Sequence, residues 1–141
     1  MQATSVTEPK YISPIVNPKS YMACLPAVLV AAGIAFVSLR ENPQELLSLR
    51  MNDKIIHGVM YAVLTAALLL PAMVKKRFVW STYLSAGMTA FLYGGLMEVL
   101  QACCTTSRSA EWADLVADAI GIVMALIITE RIRSRIPSDR E

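Results

Sequence analysis

The sequence is poor in charge and in the residues that build most catalytic and metal-binding motifs. Charged residues make up 17% of its 141 residues, against about 25% in a typical soluble domain. It contains one histidine and three cysteines, which excludes an HExxH metal site and a disulfide framework. Neither a Ser-His-Asp order nor a phosphate-binding loop is present. We therefore predict no metal and no cofactor, and a metal ion held by acids and the one histidine is only weakly indicated.

Basic residues are also too few to suggest a nucleic-acid partner. The formal net charge is +2, and no basic patch is interleaved with aromatic residues, which a nucleic-acid surface would require. Cys103 and Cys104 are adjacent, but we interpret them as small apolar residues near a helix end.

Apolar residues are what the chain has in abundance. Hydrophobic residues make up 55% of it, with a mean hydropathy of +0.49. A membrane helix needs about 20 mainly apolar residues, and four runs approach or reach that length: 21–39, 55–74, 78–100 and 112–128. The sequence therefore predicts an all-α, polytopic membrane protein with four transmembrane helices in a bundle.

Composition divides the chain into three segments. Residues 1–20 contain Pro9, Pro14 and Pro18 without an apolar period, and we interpret them as a flexible lead-in that lacks the apolar core of a signal peptide. Residues 21–130 form the predicted membrane domain, and residues 131–141 a basic tail.

The distribution of basic residues predicts the orientation of the bundle. With four spans, nine of the 13 Lys and Arg residues fall on the side of both termini and four on the other side. Because lysine and arginine are retained in the cytoplasm, we expect both termini to be cytoplasmic. The four on the outer side are Arg40, Arg50, Lys54 and Arg108.

Ionisable and polar residues cluster on that outer side. Asp53, His57 and Tyr61 are four residues apart, so they share one helix face. Glu98 and Gln101 at the end of the third run, and Asp114 and Asp118 at the start of the fourth, also have helical spacing. A carboxylate in hydrocarbon costs about 2.5–3.5 kcal/mol, so each should have a partner or a function. The predicted site contains Asp53, Lys54, His57, Glu98, Gln101, Arg108, Asp114 and Asp118.

Residue chemistry leaves two interpretations of this site open. His57 and Glu98 are the candidate catalytic bases, with Asp53 orienting the imidazole; Arg108 is the expected partner of Glu98 or Asp114. Lys54 is expected to extend towards the membrane surface. Alternatively, the whole set is a buried ion-pair network that only fixes helix packing.

Two blocks of the sequence resemble the VanZ family of bacterial membrane proteins. DKIIHGVMY at 53–61 is similar to the family's D-K-x-x-H-x-x-x-Y, and YGGLMEVLQ at 93–101 with SRSAEWADLVADAIG at 107–121 to its glycine, E-x-x-Q, Arg and D-x-x-x-N-x-x-G elements. The resemblance covers about residues 50–125 and implies the polar set named above. Asp118 departs from it, because the family usually has Asn there.

The resemblance implies a multi-pass protein of the bacterial cytoplasmic membrane, in a family whose namesake lowers susceptibility to the glycopeptide teicoplanin. Our first hypothesis is a non-enzymatic protein that binds a lipid-linked envelope precursor, a membrane lipid or the acylated glycopeptide in a polar pocket of the outer leaflet. The second is an intramembrane enzyme that modifies a lipid headgroup or envelope precursor. A small transporter is a third hypothesis. It is ranked last because four helices give few walls for a pathway unless the protein oligomerises.

Overall fold

The computed structural model describes residues 22–40, 53–75, 78–105 and 111–135. These residues form four helices and no strand: α1 (Leu25–Ser38), α2 (Asp53–Val74), α3 (Trp80–Cys104) and α4 (Trp112–Arg135). The predicted all-α class is therefore confirmed. The predicted lead-in at 1–20 and residues 136–141 of the predicted tail lie outside the described residues.

Helix length and composition distinguish two of the helices as membrane-spanning candidates. α2 has 22 residues, α4 has 24, and both are long and apolar enough to cross a membrane. α1 is apolar but has 14 residues, or about 21 Å at 1.5 Å per residue. α3 has the length, at 25 residues, but Glu98 and Gln101 interrupt its apolar sequence.

The fourth helix is longer than the sequence predicts. α4 continues to Arg135 instead of ending at residue 128, so residues 131–135 of the predicted tail are helical. Glu130 pairs with Arg133 one turn later, which supports the last turns. Arg133 and Arg135 also lie in the last turn, where positive charge is favourable to the helix dipole.

The four helices alternate in direction. α2 and α4 begin at one end of the bundle, where Lys54 contacts Asp114, and α1 and α3 finish there, where Gln101 contacts Ser38. We call this the His57 end. At the opposite end, which we call the Arg133 end, Tyr83 near the start of α3 contacts Glu130 near the end of α4.

Polar side chains lie inside the bundle and apolar side chains cover much of its outside. The central apolar contacts involve Ile34, Tyr61, Leu64, Ala90, Met97 and Ile122. Large apolar side chains are exposed along all four helices, including Val28, Leu29, Val59, Leu92 and Val123. Among the residues that the structure describes, eight polar ones are buried: Ser38, His57, Thr65, Glu98, Gln101, Asp114, Asp118 and Thr129. This distribution is typical of helices that face lipid, where polar groups turn to the bundle interior.

Candidate functional site

A contact between two helix backbones sets the geometry of the His57 end. A Cβ atom added to Gly121 of α4 would lie 1.9 Å from the carbonyl oxygen of Gly58 in α2. Small residues permit this approach of the two backbones. His57 precedes Gly58, and Asp118 lies one turn before Gly121, so the contact brings these two side chains face to face.

His57 is buried and lies between two carboxylates of α4. Its Nδ1 is 3.1 Å from Asp118 Oδ1, and its Nε2 is 3.9 Å from Asp114 Oδ2. The first distance is a hydrogen bond in which Nδ1–H donates to the carboxylate when the ring carries a proton on Nδ1. The exposed fraction is 4% for His57, 5% for Asp114 and 0% for Asp118. Both carboxylates are therefore shielded from water and act on one imidazole.

Lys54 connects the start of α2 to the start of α4. Its Nζ donates hydrogen bonds to Asp114 Oδ1 at 2.8 Å and to Glu111 Oε2 at 2.9 Å. Lys54 therefore makes a cross-helix pair, and the expectation that it extends towards the membrane surface stays a prediction. Asp114 accordingly accepts from a lysine on one oxygen and faces His57 with the other.

Glu98 reaches from α3 to the beginning of α4. Its Oε2 accepts a hydrogen bond from the backbone N–H of Glu111 at 3.1 Å. Glu111 directly precedes the first residue of α4, where backbone N–H groups lack helical partners and a negative charge is favourable. Glu98 is 3% exposed. Its carboxylate therefore helps to hold α4 against α3.

Asp118 is the most deeply buried of the predicted site residues that the structure describes. While Oδ1 contacts His57, Oδ2 is buried and has no hydrogen-bond partner among the described residues. A Cβ atom added to Gly94 of α3 would lie 2.8 Å from this oxygen and 3.3 Å from the Tyr61 ring. The absence of a side chain at Gly94, one helical turn before Glu98, thus makes room for Oδ2.

Four of the predicted residues, His57, Glu98, Asp114 and Asp118, come together in what we call the polar cluster. A ligand atom from each of His57, Glu98 and Asp118 lies within 4.8 Å of the others, and the same holds for Asp53, His57 and Asp114. Lys54, Asp53 and Glu111 border the polar cluster. Either group of three offers one nitrogen and two oxygen donors, which is a set that could hold a metal ion.

Of the other two predicted site residues, Gln101 contacts another helix and Arg108 is not described. Gln101 is buried, and its Nε2 donates to the carbonyl oxygen of Ser38 at 3.1 Å. It therefore fastens the end of α3 to the end of α1. Arg108, the predicted partner of Glu98 or Asp114, lies outside the described residues. The described contacts of those two acids are with Glu111 and Lys54, and their pairing with Arg108 stays a prediction.

Sequence reasoning did not identify Gly58, Glu111 and Ser38 as supports of the site. Glu111 and Ser38 act through their backbone N–H and carbonyl groups, which the type of side chain does not reveal. Gly58 could have been identified, since a glycine beside the only histidine of the sequence is where close helix packing would be expected.

A long groove leads away from the polar cluster. It has a volume of about 920 Å³ and follows α2 and α4, with Pro26 and Val30 of α1 also in contact. Lys54 lines it at the His57 end, and Ile132 at the Arg133 end.

Comparison with family models, with curated proteins and with solved structures finds no match for this chain.

Proposed function

We propose that this chain is a VanZ-like, multi-pass protein of the bacterial cytoplasmic membrane that binds a lipid-linked envelope component at the polar cluster. The proposal takes all four helices as spans and both termini as cytoplasmic, which puts the His57 end at the outer leaflet. The nine-to-four distribution of basic residues and the two membrane-spanning candidates support this arrangement.

The observation that carries the proposal is the apolar groove that ends at Lys54, which borders the polar cluster. Its α2 lining runs from Lys54 to Met73, about 28 Å of helix at 1.5 Å per residue. That length is close to the ~30 Å hydrocarbon thickness of a bilayer. An acyl or polyprenyl chain can lie in the groove while its headgroup reaches the mouth beside Lys54.

The chemistry of that mouth suits a headgroup rich in hydrogen-bond donors. Lys54 at the mouth can donate to a phosphate oxygen, and the exposed carboxylate of Glu111 beside it is a strong acceptor for hydroxyl and amide groups. A sugar-bearing lipid precursor combines these features, and an acylated glycopeptide such as teicoplanin combines several of them. The same mouth therefore accounts for both ligands in the first hypothesis.

A matched pair of groove variants tests the acyl-chain part of the proposal. Ala66 is exposed and lines the groove, whereas Ala102 is exposed on α3. Protein extracted with its native membrane should carry an enriched lipid that mass spectrometry detects, and Ala66→Phe should abolish that enrichment while Ala102→Phe retains it. Equal lipid profiles for the wild type and Ala66→Phe would remove the groove from the proposal.

The polar part is tested by isosteres that keep shape and remove charge or a titrating proton. Glu98→Gln and His57→Asn should leave membrane insertion intact but abolish the effect of the protein on teicoplanin susceptibility. Full activity of both variants would make the polar cluster a packing element for that phenotype.

An enzyme is the second candidate, and the contact between His57 and Asp118 favours it. An imidazole held by a carboxylate at 3.1 Å is the usual arrangement of a general base. Purified wild-type protein would then convert a component of envelope lipid extracts, and His57→Ala would not. Stable binding without conversion supports the first function.

A further inference from the structure

We propose that His57, Glu98 and Asp118 bind one divalent first-row metal cation, such as Zn²⁺ or Mn²⁺. The inference goes beyond the proposed function, because a cation site can exist whether or not the chain binds a lipid. It rests on geometry, on one orphaned oxygen and on the balance of charge.

The geometry fits a cation between three helices. The three donors come from α2, α3 and α4, and one ligand atom of each lies within 4.8 Å of the other two. Two ligands that bind a cation at right angles, each at about 2.1 Å, lie about 3.0 Å apart. The separation of His57 Nδ1 and Asp118 Oδ1 is 3.1 Å, so one cation can contact both with little movement. Glu98 completes the set by a side-chain rotation.

The orphaned oxygen is the independent observation that points to a ligand. Asp118 is 0% exposed, and its Oδ2 has no partner among the described residues. A buried carboxylate oxygen without a partner is costly, and a cation bound by this carboxylate removes that cost. Gly94 allows Oδ2 to take this position, since a Cβ there would lie 2.8 Å from it.

The balance of charge also favours a cation. Within the described residues, four carboxylates lie around the His57 ring: the buried ones of Glu98, Asp114 and Asp118, and the half-buried one of Asp53. Lys54 pairs with Asp114, which leaves Glu98 and Asp118 as the remaining buried pair. Buried charges without compensation are unfavourable. A divalent cation neutralises the remaining pair.

A second layer of side chains lies beside the three donors. Metal-binding histidines usually donate their other ring N–H to a carboxylate that is itself held in place. Here Nε2 of His57 is 3.9 Å from Asp114 Oδ2, which is beyond hydrogen-bond distance, so the ring would move slightly towards Asp114, which Lys54 holds at 2.8 Å. Nδ1 is then the metal donor and Asp114 the positioning residue. Imidazole with carboxylates favours a transition metal over Ca²⁺.

Three protein donors leave coordination positions open, as catalytic and substrate-binding metal sites do. Such a cation would give an acid-rich cluster a positive centre that accepts a phosphate oxygen.

Metal content and direct titration of the full chain in detergent, purified without a polyhistidine tag, test the site. After removal of metal with EDTA, Zn²⁺ or Mn²⁺ alone should bind with a stoichiometry of one and a Kd tighter than about 100 μM. Asp118→Asn and Glu98→Gln should weaken binding more than about 100-fold, and Asp114→Asn about 10- to 100-fold. Glu130→Gln, an exposed acid on the same helix as Asp118, is the matched control and should bind as the wild type does.

Two further measurements keep the test decisive if a variant fails to fold. Co²⁺ bound to the wild type should show visible bands of nitrogen and oxygen ligation without a thiolate band, and bound Zn²⁺ should raise the thermal unfolding temperature. Failure of the wild type to bind either Zn²⁺ or Mn²⁺, or equal binding by Asp118→Asn and Glu130→Gln, would overturn the proposal. Neither result depends on a lipid, so the proposed function stands or falls separately.

Discussion

The two ends of the bundle contain the same kinds of interaction in opposite surroundings. At the His57 end, acids of α3 and α4 meet a histidine and a lysine of α2, and the exposed fraction of Glu98 and Asp118 is 3% and 0%. At the Arg133 end, Glu130 accepts from Tyr83 Oη at 2.6 Å and pairs with Arg133, but the two charged side chains are 46% and 44% exposed.

The Arg133 end is also arranged around aromatic rings that remain accessible. The rings of Phe78 and Tyr83 stack with centroids 5.5 Å apart, and the Arg133 guanidinium lies 6.0 Å from the Phe78 centroid. An exposed ion pair such as that of Glu130 with Arg133 contributes little to stability. A buried cluster carries a desolvation cost, which is consistent with the proposal that it binds a ligand.

The largest expected effect comes from breaking the helix contact that creates the His57 end. Gly121→Leu places a side chain against the Gly58 carbonyl, where a Cβ already would lie 1.9 Å away. Since backbone cannot yield as a side chain does, α2 and α4 must separate, at a cost of more than about 3 kcal/mol. Denaturant unfolding in detergent measures it. Gly33→Leu, with nothing within 4 Å of its Cβ position, is the control, and equal midpoints for both variants would contradict this account.

Removal of one member of the buried pair should have the next largest effect. His57→Ala leaves Asp118 buried without its partner, which costs about 3–5 kcal/mol for buried pairs of this kind. The double variant His57→Ala/Asp118→Ala should lose less than the sum of the two single losses, because neither charge is then stranded. Unfolding in EDTA keeps bound metal from contributing. Strict additivity would show that the 3.1 Å contact carries no coupling.

The helices and the end at which the polar residues meet follow from simple periodicity. Apolar runs of about 20 residues predict helices, and alternation of direction then places the start of α2 and α4 beside the end of α3. His57, Glu98 and Asp114 therefore meet for reasons that are visible in one chain.

Which residue each polar side chain contacts could not be predicted in the same way. Asp53 lies one turn from His57, yet the closest carboxylate to the ring is Asp118 of another helix. Gln101 shares a face with Glu98 in spacing, but it bonds to Ser38. Such contacts depend on the rotation of each helix about its axis and on one close approach at Gly58, and local spacing encodes neither.

Adjacent glycines on α3 allow a sharper comparison within the His57 end itself. A Cβ added to Gly94 would lie 2.8 Å from Asp118 Oδ2, whereas nothing lies within 4 Å of the Gly95 position. Gly94→Ala should therefore destabilise by about 1–3 kcal/mol, and Gly95→Ala should stabilise by up to about 1 kcal/mol through helix propensity. Thermal unfolding of both variants measures the difference. The same sign for both would show that Gly94 does not shape the polar cluster.

The smallest expected effect is at the Arg133 end, and it completes the comparison. Glu130→Gln removes the charge from an ion pair whose side chains are nearly half exposed, where water and salt screen the interaction. The amide can still accept from Tyr83 Oη, so the contact between α3 and α4 survives and only the ion pair within α4 is lost. The unfolding midpoint should change less than in any variant above, and the change should disappear in high salt. Tyr83→Phe, which removes only the hydrogen bond between α3 and α4, is the matched variant. If Glu130→Gln destabilised the protein as much as His57→Ala does, burial would not be what separates the two ends, and the case for a ligand at the polar cluster would lose its energetic basis.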